Sequence, residues 1–200
     1  MLGPHIVLLN GVSNSGKTSI AKALQGKLDA PYLHVCIDTF EEMMPAPRSK
    51  QGDFGWQPIF NNMLSGFHHS IRALADCGNN LIVDHVLVEG EEPLTWVSEC
   101  LSLLTVFDVF LVGVRCALVD LEQREVARGN RPVGLARWQF ERMHRQVVYD
   151  LQVDTAAYSP EECASQIMAA LSGTARSGLS KTLHAVRSDS FGSVKPDLPA

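Results

Sequence analysis

One segment near the start of the chain, GVSNSGKT from Gly11 to Thr18, restricts the possible folds more than any other. It follows a short apolar run, Ile6 to Leu9, that suits a buried strand, and it precedes apolar residues at helical spacing. This order of strand, G-x-x-x-x-G-K-[ST] loop and helix is typical of proteins that bind the phosphate chain of a nucleotide. The sequence therefore predicts a phosphate-binding loop in an α/β sheet.

The residue types of this loop suit a ligand with a high density of negative charge. Glycines and small residues let successive backbone N–H groups point inward, and the following helix directs its positive end at the anion. Lys17 would contact the outer phosphates, and the Thr18 hydroxyl would bind Mg²⁺. A plain turn is the alternative, but the match to all four fixed positions makes it the weaker one. The residues expected to hold ATP are Gly11, Val12, Ser13, Asn14, Ser15, Gly16, Lys17 and Thr18.

The rest of the chain alternates apolar strand patterns with helical ones. The predicted strands are Ile6 to Leu9, Tyr32 to Ile37, Leu81 to Val86, Val106 to Val114 and Tyr149 to Val153. Helices are predicted after the loop and at Ile59 to Ala75, Leu94 to Leu104, Ala117 to Arg128, Leu135 to Val147 and Pro160 to Leu171. Such alternation predicts a three-layer α/β fold, a five-stranded parallel sheet with helices on both faces.

Composition limits the partners and the compartment. With 200 residues and 46% hydrophobic content, we expect one domain over residues 1–173 and a flexible, dispensable tail over 174–200, which is rich in serine and small residues. The net charge of -5 predicts no general attraction to nucleic acid or to an anionic membrane. Five cysteines without a C-x-x-C pair indicate neither disulfides nor a zinc site, and no apolar run approaches the ~20 residues of a membrane span. We therefore expect a cytoplasmic protein with a small-molecule partner.

Two aspartates, Asp38 and Asp84, follow predicted strands directly, at the sheet edge where ligands bind in α/β proteins. Transfer of a phosphoryl group needs an oriented acceptor hydroxyl and a metal ion. We expect Asp38 to accept the hydroxyl proton and Asp84 to hold Mg²⁺ together with Thr18. The alternative for each aspartate is a simple helix cap.

Three arginines, Arg124, Arg128 and Arg131, lie on or before a basic segment that is broken by glycine and proline. On a mobile segment, their guanidinium groups could close over a nucleotide and stabilise charge on the transferred group. We favour this lid for Arg128 and Arg131 over the alternative of a solvated helix end. The histidines and tryptophans show no metal-ligand spacing, so we interpret them as packing residues, except His85, which borders the predicted site and could contact the substrate.

Several of these motifs together resemble the chloramphenicol 3-O-phosphotransferases, which are P-loop kinases that phosphorylate a hydroxyl of the antibiotic. The resemblance spans about Ile6 to Leu171 and rests on the following motifs: GVSNSGKT, CIDTF around Asp38 with Met44 and Pro45, LIVDHV, VGVRC, REVARGNR, and His144 with YDLQVDT. It implies a five-stranded parallel sheet, ATP bound at Gly11 to Thr18, Asp38 as the catalytic base, and Arg128 and Arg131 in the lid.

We therefore interpret the chain as an ATP-dependent kinase of a small-molecule alcohol, with chloramphenicol or a similar antibiotic as the first candidate acceptor. A kinase of a primary metabolite or nucleoside would use the same residues. A nucleotide-hydrolysing switch is a third reading, but the guanine-reading N-K-x-D motif is absent, and His85 follows Asp84 where many ATP hydrolases have a glutamate. A catalytically inactive nucleotide-binding scaffold is the fourth, and the retained Lys17 and Asp38 argue against it. The sequence does not indicate an oligomeric state.

Overall fold

A computed structural model of the chain describes residues 3–44, 56–88, 96–129, 133–145, 147–173 and 175–192. Its strands are β1 (His5–Asn10), β2 (Tyr32–Cys36), β3 (Asn80–His85), β4 (Asp108–Arg115) and β5 (Leu151–Asp154). They form one five-stranded parallel sheet in the order β2-β3-β1-β4-β5. The predicted fold class is therefore confirmed.

Helices cover both faces of this sheet. They are α1 (Lys17–Lys27), α2 (Ile37–Glu42), α3 (Trp56–Asp76), α4 (Trp96–Leu103), α5 (Leu118–Arg128), α6 (Leu135–Arg142), α7 (Pro160–Leu171) and α8 (Gly178–Gly192). α1 and α7 pack on one face, and α3, α4 and α8 pack on the other.

The residues of β1 show why the strands are apolar throughout. Ile6 and Leu8 belong to the core cluster under α3, α4 and α8, whereas Val7 and Leu9 belong to the cluster under α1 and α7. Since side chains alternate between the two faces of a strand, a central strand with helices on both sides must be apolar at every position. This explains the continuous apolar runs without a period of two.

The strand register brings the polar ends of neighbouring strands together. Asp84 at the end of β3 lies opposite Leu9 of β1 on one side and Cys36 of β2 on the other. The loop that follows β1 therefore begins beside Asp84, at the carboxyl edge of the sheet. In parallel sheets, ligands bind at this edge.

Two local predictions differ from the structure. Asp38 lies in the first turn of α2, because the chain turns from β2 into this helix without a spacer. The helix predicted to reach Val147 ends at Arg142, where Met143 becomes extended and His144 takes a left-handed φ of 69°. The His144 ring contacts Tyr149, five residues further along the chain, and this contact outweighs the local helical pattern.

The prediction of a flexible tail is wrong for residues 175–192, because most of this segment forms α8. The Asp150 carboxylate accepts hydrogen bonds of 2.7 Å from the backbone N–H groups of Ser177 and Gly178 at the start of the helix. Leu183 and Val186 of α8 are buried in the main core. Helix α8 is therefore part of the domain.

Candidate active site

The loop between β1 and α1 adopts a conformation that its small residues allow. Asn14 and Gly16 have left-handed φ values of 66° and 94°, a region that glycine and asparagine tolerate best. A side chain at Gly11 would place its Cβ 2.7 Å from the Val114 carbonyl oxygen. The Ser15 N–H donates to the Val12 carbonyl at 3.0 Å, which closes the turn. The loop therefore curves tightly over the sheet edge and leads into the N-terminus of α1.

Two buried polar atoms of this loop suit an anionic ligand. The Ser15 hydroxyl and the Asn14 side-chain nitrogen are buried, and neither has a hydrogen-bond partner among the described residues. Buried donors are rarely left unpaired in folded proteins. Together with the helix N-terminus beside them, they fit a phosphate chain.

Lys17, Thr18 and Asp84 form a compact polar group at the base of the loop. The Thr18 hydroxyl donates to the Asp84 carboxylate at 2.6 Å. The Lys17 ammonium donates to the Val12 carbonyl at 3.0 Å and lies 3.7 Å from the other Asp84 carboxylate oxygen. A carboxylate and a hydroxyl in contact are hard oxygen ligands of the kind that Mg²⁺ prefers. The residues predicted to bind the metal are therefore adjacent, and their chemistry fits it.

Asp84 is buried yet stays ionised. Burial alone would raise the pKa of its carboxyl, but the Lys17 charge and the contacts with His34 and Thr18 outweigh this effect and lower the pKa to about 2. The site therefore keeps one fixed negative charge next to the Lys17 ammonium at physiological pH.

Asp38 faces Arg128, one of the two arginines predicted for the lid. The Arg128 guanidinium lies 3.6 Å from the Asp38 carboxylate, and it also donates to the Asn14 side-chain oxygen at 3.3 Å. Both side chains are partly exposed, 32% for Asp38 and 48% for Arg128. The end of α5 therefore reaches over the loop towards α2.

A single cavity of about 470 Å³ connects these groups. Its lining comprises Ser13, Asn14, Gly16, Lys17, Thr18, Ser19, Asp38, Asp84, Val86, Arg124, Arg128, Thr155, Tyr158 and Pro160. Its size lies within the range of small-ligand sites. The cavity thus combines a cationic phosphate-binding part with two carboxylates.

The predicted residues divide into three groups by their placement. Those that line the cavity are Ser13, Asn14, Gly16, Lys17, Thr18, Asp38, Asp84 and Arg128. Gly11, Val12 and Ser15 are buried in the body of the loop, where the Val12 side chain packs against α5 and α6. Arg131 lies outside the described residues, so its predicted role in the lid stays a prediction.

Arg124 has a more specific position than its sequence context indicated. Its guanidinium donates to the Asn14 carbonyl at 3.3 Å and to the Thr155 carbonyl at 3.0 Å. The Thr155 hydroxyl in turn donates to the Ser15 carbonyl at 2.7 Å. Sequence reasoning missed Thr155, although it directly follows β5, the same kind of position that identified Asp38 and Asp84.

Helix α6 is tied to the loop by two buried polar residues that the sequence did not single out. The Glu125 carboxylate accepts hydrogen bonds of 2.7 Å from the backbone N–H groups of Gly134 and Ala136, at the start of α6. The Gln139 side-chain oxygen accepts one from the Ser13 N–H at 2.7 Å. Helix α6 is therefore anchored to both α5 and the loop.

A second network supports the end of β1. The Asn10 amide donates to the Tyr149 hydroxyl at 2.8 Å, and that hydroxyl lies 2.5 Å from His144 Nδ1. Burial, assisted by the charges of Arg115 and Lys17, lowers the pKa of His144 to about 4. His144 is therefore neutral near pH 7, and its Nδ1 can accept the Tyr149 hydroxyl proton as a hydrogen bond.

Comparisons with known proteins agree with this arrangement. A family model described as "Chloramphenicol phosphotransferase-like protein" matches residues 4–172. A Mycobacterium tuberculosis relative, "Putative O-phosphotransferase Rv2636", is 28% identical over 183 residues, covering 81% of this chain and 80% of its own.

Two solved structures are similar in fold. The APS kinase CysC of Mycobacterium tuberculosis superposes with a TM-score of 0.63 at 21% identity, covering 86% of this chain and 100% of that one. Shikimate kinase from Aquifex aeolicus has a TM-score of 0.54 at 18% identity, covering 84% and 96%. Across the described residues, no helix is both long and apolar enough to span a membrane.

Proposed function

Because the chain belongs to the chloramphenicol phosphotransferase-like family and is a P-loop kinase of a small molecule, we propose that it transfers the γ-phosphate of ATP to a hydroxyl group, with chloramphenicol or a similar antibiotic alcohol as acceptor. One observation carries this proposal: the Asp38 carboxylate lines the same cavity as Lys17 and Thr18. An acceptor hydroxyl in that cavity can meet a base and a phosphate together.

In the proposed reaction, the site residues either accept the proton of the acceptor hydroxyl or stabilise negative charge on the phosphates. Asp38 accepts the proton of the acceptor hydroxyl as the oxygen attacks phosphorus. Lys17 and Arg128 stabilise negative charge on the transferred group, and Arg131 is proposed to assist from the lid. The loop from Gly11 to Thr18 holds the phosphates of ATP through its backbone N–H groups.

Thr18 and Asp84 are the residues that would hold Mg²⁺, which neutralises phosphate charge when bound. Asp84 suits this role because its carboxylate stays ionised at physiological pH. A reducing, ATP-containing compartment such as the cytoplasm fits the five free cysteines.

A metabolite acceptor is the second candidate, because the similar structures include an APS kinase and a shikimate kinase. The acceptor pocket is the part that varies on such a scaffold. A hydrolysing switch is less well supported, since the His85 ring is fully buried and hydrogen-bonded to His68 at 2.8 Å, so it is not placed to activate water.

The test is an acceptor screen with ATP labelled at the γ-phosphate. The full chain is incubated with Mg²⁺ and a panel of alcohols that includes chloramphenicol, other antibiotic alcohols, adenylyl sulfate, shikimate and nucleosides. We expect label in one acceptor and equimolar ADP. Release of label only as inorganic phosphate, at the same rate with and without every acceptor, would contradict the proposal.

A further inference from the structure

His34, Cys36 and Asp84 bring three different metal-binding groups to one place beside the phosphate loop. One nitrogen, one sulfur and one carboxylate oxygen, one from each residue, all lie within 4.8 Å of one another. We propose that these residues form a binding site for Zn²⁺ or a similar borderline-soft divalent cation. A cation at this site would compete with Mg²⁺ for the Asp84 carboxylate.

The arrangement follows from the pairing of β2 with β3. His34 and Cys36 are two residues apart on β2, so their side chains lie on the same face of the sheet. Asp84 is the register partner of Cys36 on β3. All three groups therefore project beside the first turn of α1, and no loop has to fold for them to meet.

One atom of the cluster lacks a hydrogen-bond partner. His34 Nε2 is buried and makes no hydrogen bond among the described residues, and it lies 3.8 Å from an Asp84 carboxylate oxygen. That separation is too long for a hydrogen bond. It is close to the distance between two ligands of one tetrahedral zinc ion, about 3.3–3.8 Å for metal–ligand bonds of about 2.0–2.3 Å. A pair of ligand atoms at the 4.8 Å limit would need to approach by about 1 Å, which small rotations about the His34 and Cys36 side-chain torsions can supply.

The ligand types select the cation. Imidazole, thiolate and carboxylate together suit Zn²⁺, whereas Mg²⁺ prefers oxygen ligands alone. On binding, the Cys36 S–H bond breaks, its proton passes to solvent, and a zinc–sulfur bond forms. Three protein ligands leave a fourth position for water.

A second cluster, formed by His68, His85 and Cys100, provides a contrast. The Val86 N–H donates to His85 Nδ1 at 2.8 Å, which leaves the ring proton on His85 Nε2. That nitrogen then donates to His68 Nε2 at 2.8 Å. This hydrogen bond occupies one ring nitrogen of each histidine, so these two nitrogens are not available to a metal in this state.

The expected effect of zinc on phosphoryl transfer rests on the function proposed above for Asp84. Zinc binding itself does not rest on that function. The Asp84 carboxylate oxygen that faces His34 is the one that accepts the hydrogen bond of 2.6 Å from Thr18. Zinc at that oxygen would therefore inhibit phosphoryl transfer by competing with Mg²⁺ for the Asp84 carboxylate.

The binding test titrates the full chain with ZnCl₂ by calorimetry and with Co²⁺ by absorption, without nucleotide. We expect one tight site and a sulfur-to-cobalt charge-transfer band. Cys36→Ser should remove the band and weaken zinc binding at least about tenfold, and His34→Gln should weaken it similarly. Cys100→Ser and Cys77→Ser are the matched controls and should behave like the parent chain. Far-ultraviolet circular dichroism and thermal melting check that each variant folds.

Thr18→Val separates this site from the proposed Mg²⁺ site. It should bind zinc as the parent chain does, because Thr18 is not a zinc ligand. Loss of zinc from this variant or from Cys100→Ser, retention of the band in Cys36→Ser, or no tight zinc binding by the parent chain would each overturn the proposal. Once an acceptor is known, zinc should slow phosphoryl transfer by the parent chain but not by Cys36→Ser. Equal inhibition of both would overturn inhibition through this site.

Discussion

The Arg128 guanidinium lies 3.6 Å from the Asp38 carboxylate and 3.3 Å from the side-chain oxygen of Asn14 in the phosphate loop. The same cation therefore contacts the proposed base and the proposed phosphate site. As a partly exposed ion pair it contributes at most about 1 kcal/mol to stability. Its position makes sense for catalysis, because a phosphoryl group passing between loop and acceptor would remain next to Arg128.

Replacement of Asp38 by Asn tests the proposed base. The amide keeps the shape of the side chain but cannot accept the hydroxyl proton, so we expect turnover to fall by about two to four decades. Nucleotide affinity should stay nearly constant when measured by calorimetry with a non-hydrolysable ATP analogue. The exposed Glu42 on the same helix supplies the control variant Glu42→Gln, which should keep full activity. An equal loss of nucleotide binding in Asp38→Asn would contradict the assignment.

Replacement of Arg128 by Gln tests charge stabilisation. We expect kcat to fall by about one to three decades, because the cation acts on charge that develops during transfer. Arg137→Gln is the matched control, since Arg137 pairs with Glu122 on the surface and does not line the cavity. Steady-state kinetics decide between the roles, because a raised KM for ATP with unchanged kcat would mean that Arg128 binds the ground state and the transition state equally.

Truncation after Gly173 tests the contribution of α8. The sequence alone predicts that activity is unchanged by this truncation, but removal of the buried Leu183 and Val186 should lower the free energy of unfolding by about 3–6 kcal/mol. It would also leave the Asp150 carboxylate without the two N–H groups it caps. Urea denaturation measures the change, and truncation after Gly192 is the control that keeps the helix. Unchanged stability after removal of residues 174–200 would show that α8 is not part of the folding unit.

The stability of the protein should depend on His144 at mildly acidic pH. The pKa of His144 is lowered from 6.5 to about 4 in the folded chain, so below about pH 6.5 the unfolded chain binds the proton first. Stability is therefore lost as pH falls from about 6.5 to about 4. The variant His144→Asn lacks the titrating imidazole, and asparagine tolerates the left-handed φ of 69°.

Relative to His144→Asn, the parent chain should lose about 1–3 kcal/mol of unfolding free energy between about pH 7 and about pH 4, after allowance for partial exposure. Urea denaturation at both pH values measures this difference. A parallel pH dependence of the two proteins would mean that His144 titrates normally in the fold.

Much of the fold could be predicted because local physics controls it. The signals that predict strands and helices act over a few neighbouring residues, so they are visible in the sequence itself. Examples are the apolar runs of strands buried on both faces, the spacing of apolar residues in helices, and Ser159 and Pro160 at the start of α7. The loop of Gly11 to Thr18 has a fixed spacing because its backbone must wrap around phosphates. Asp84 could be identified because parallel strands end at one edge, and the structure places it against Thr18.

The remaining features depend on residues that are distant in the chain. Arg124 meets Asn14 across 110 positions, and Asn10 meets Tyr149 across 139. The start of α8 meets Asp150 across 27 positions. A local sequence pattern does not indicate such pairs, because the favourable interaction between the two residues exists only after packing has brought them together. The spacing along the chain therefore specified the phosphate loop, and the packing of distant segments specified which side chains surround it.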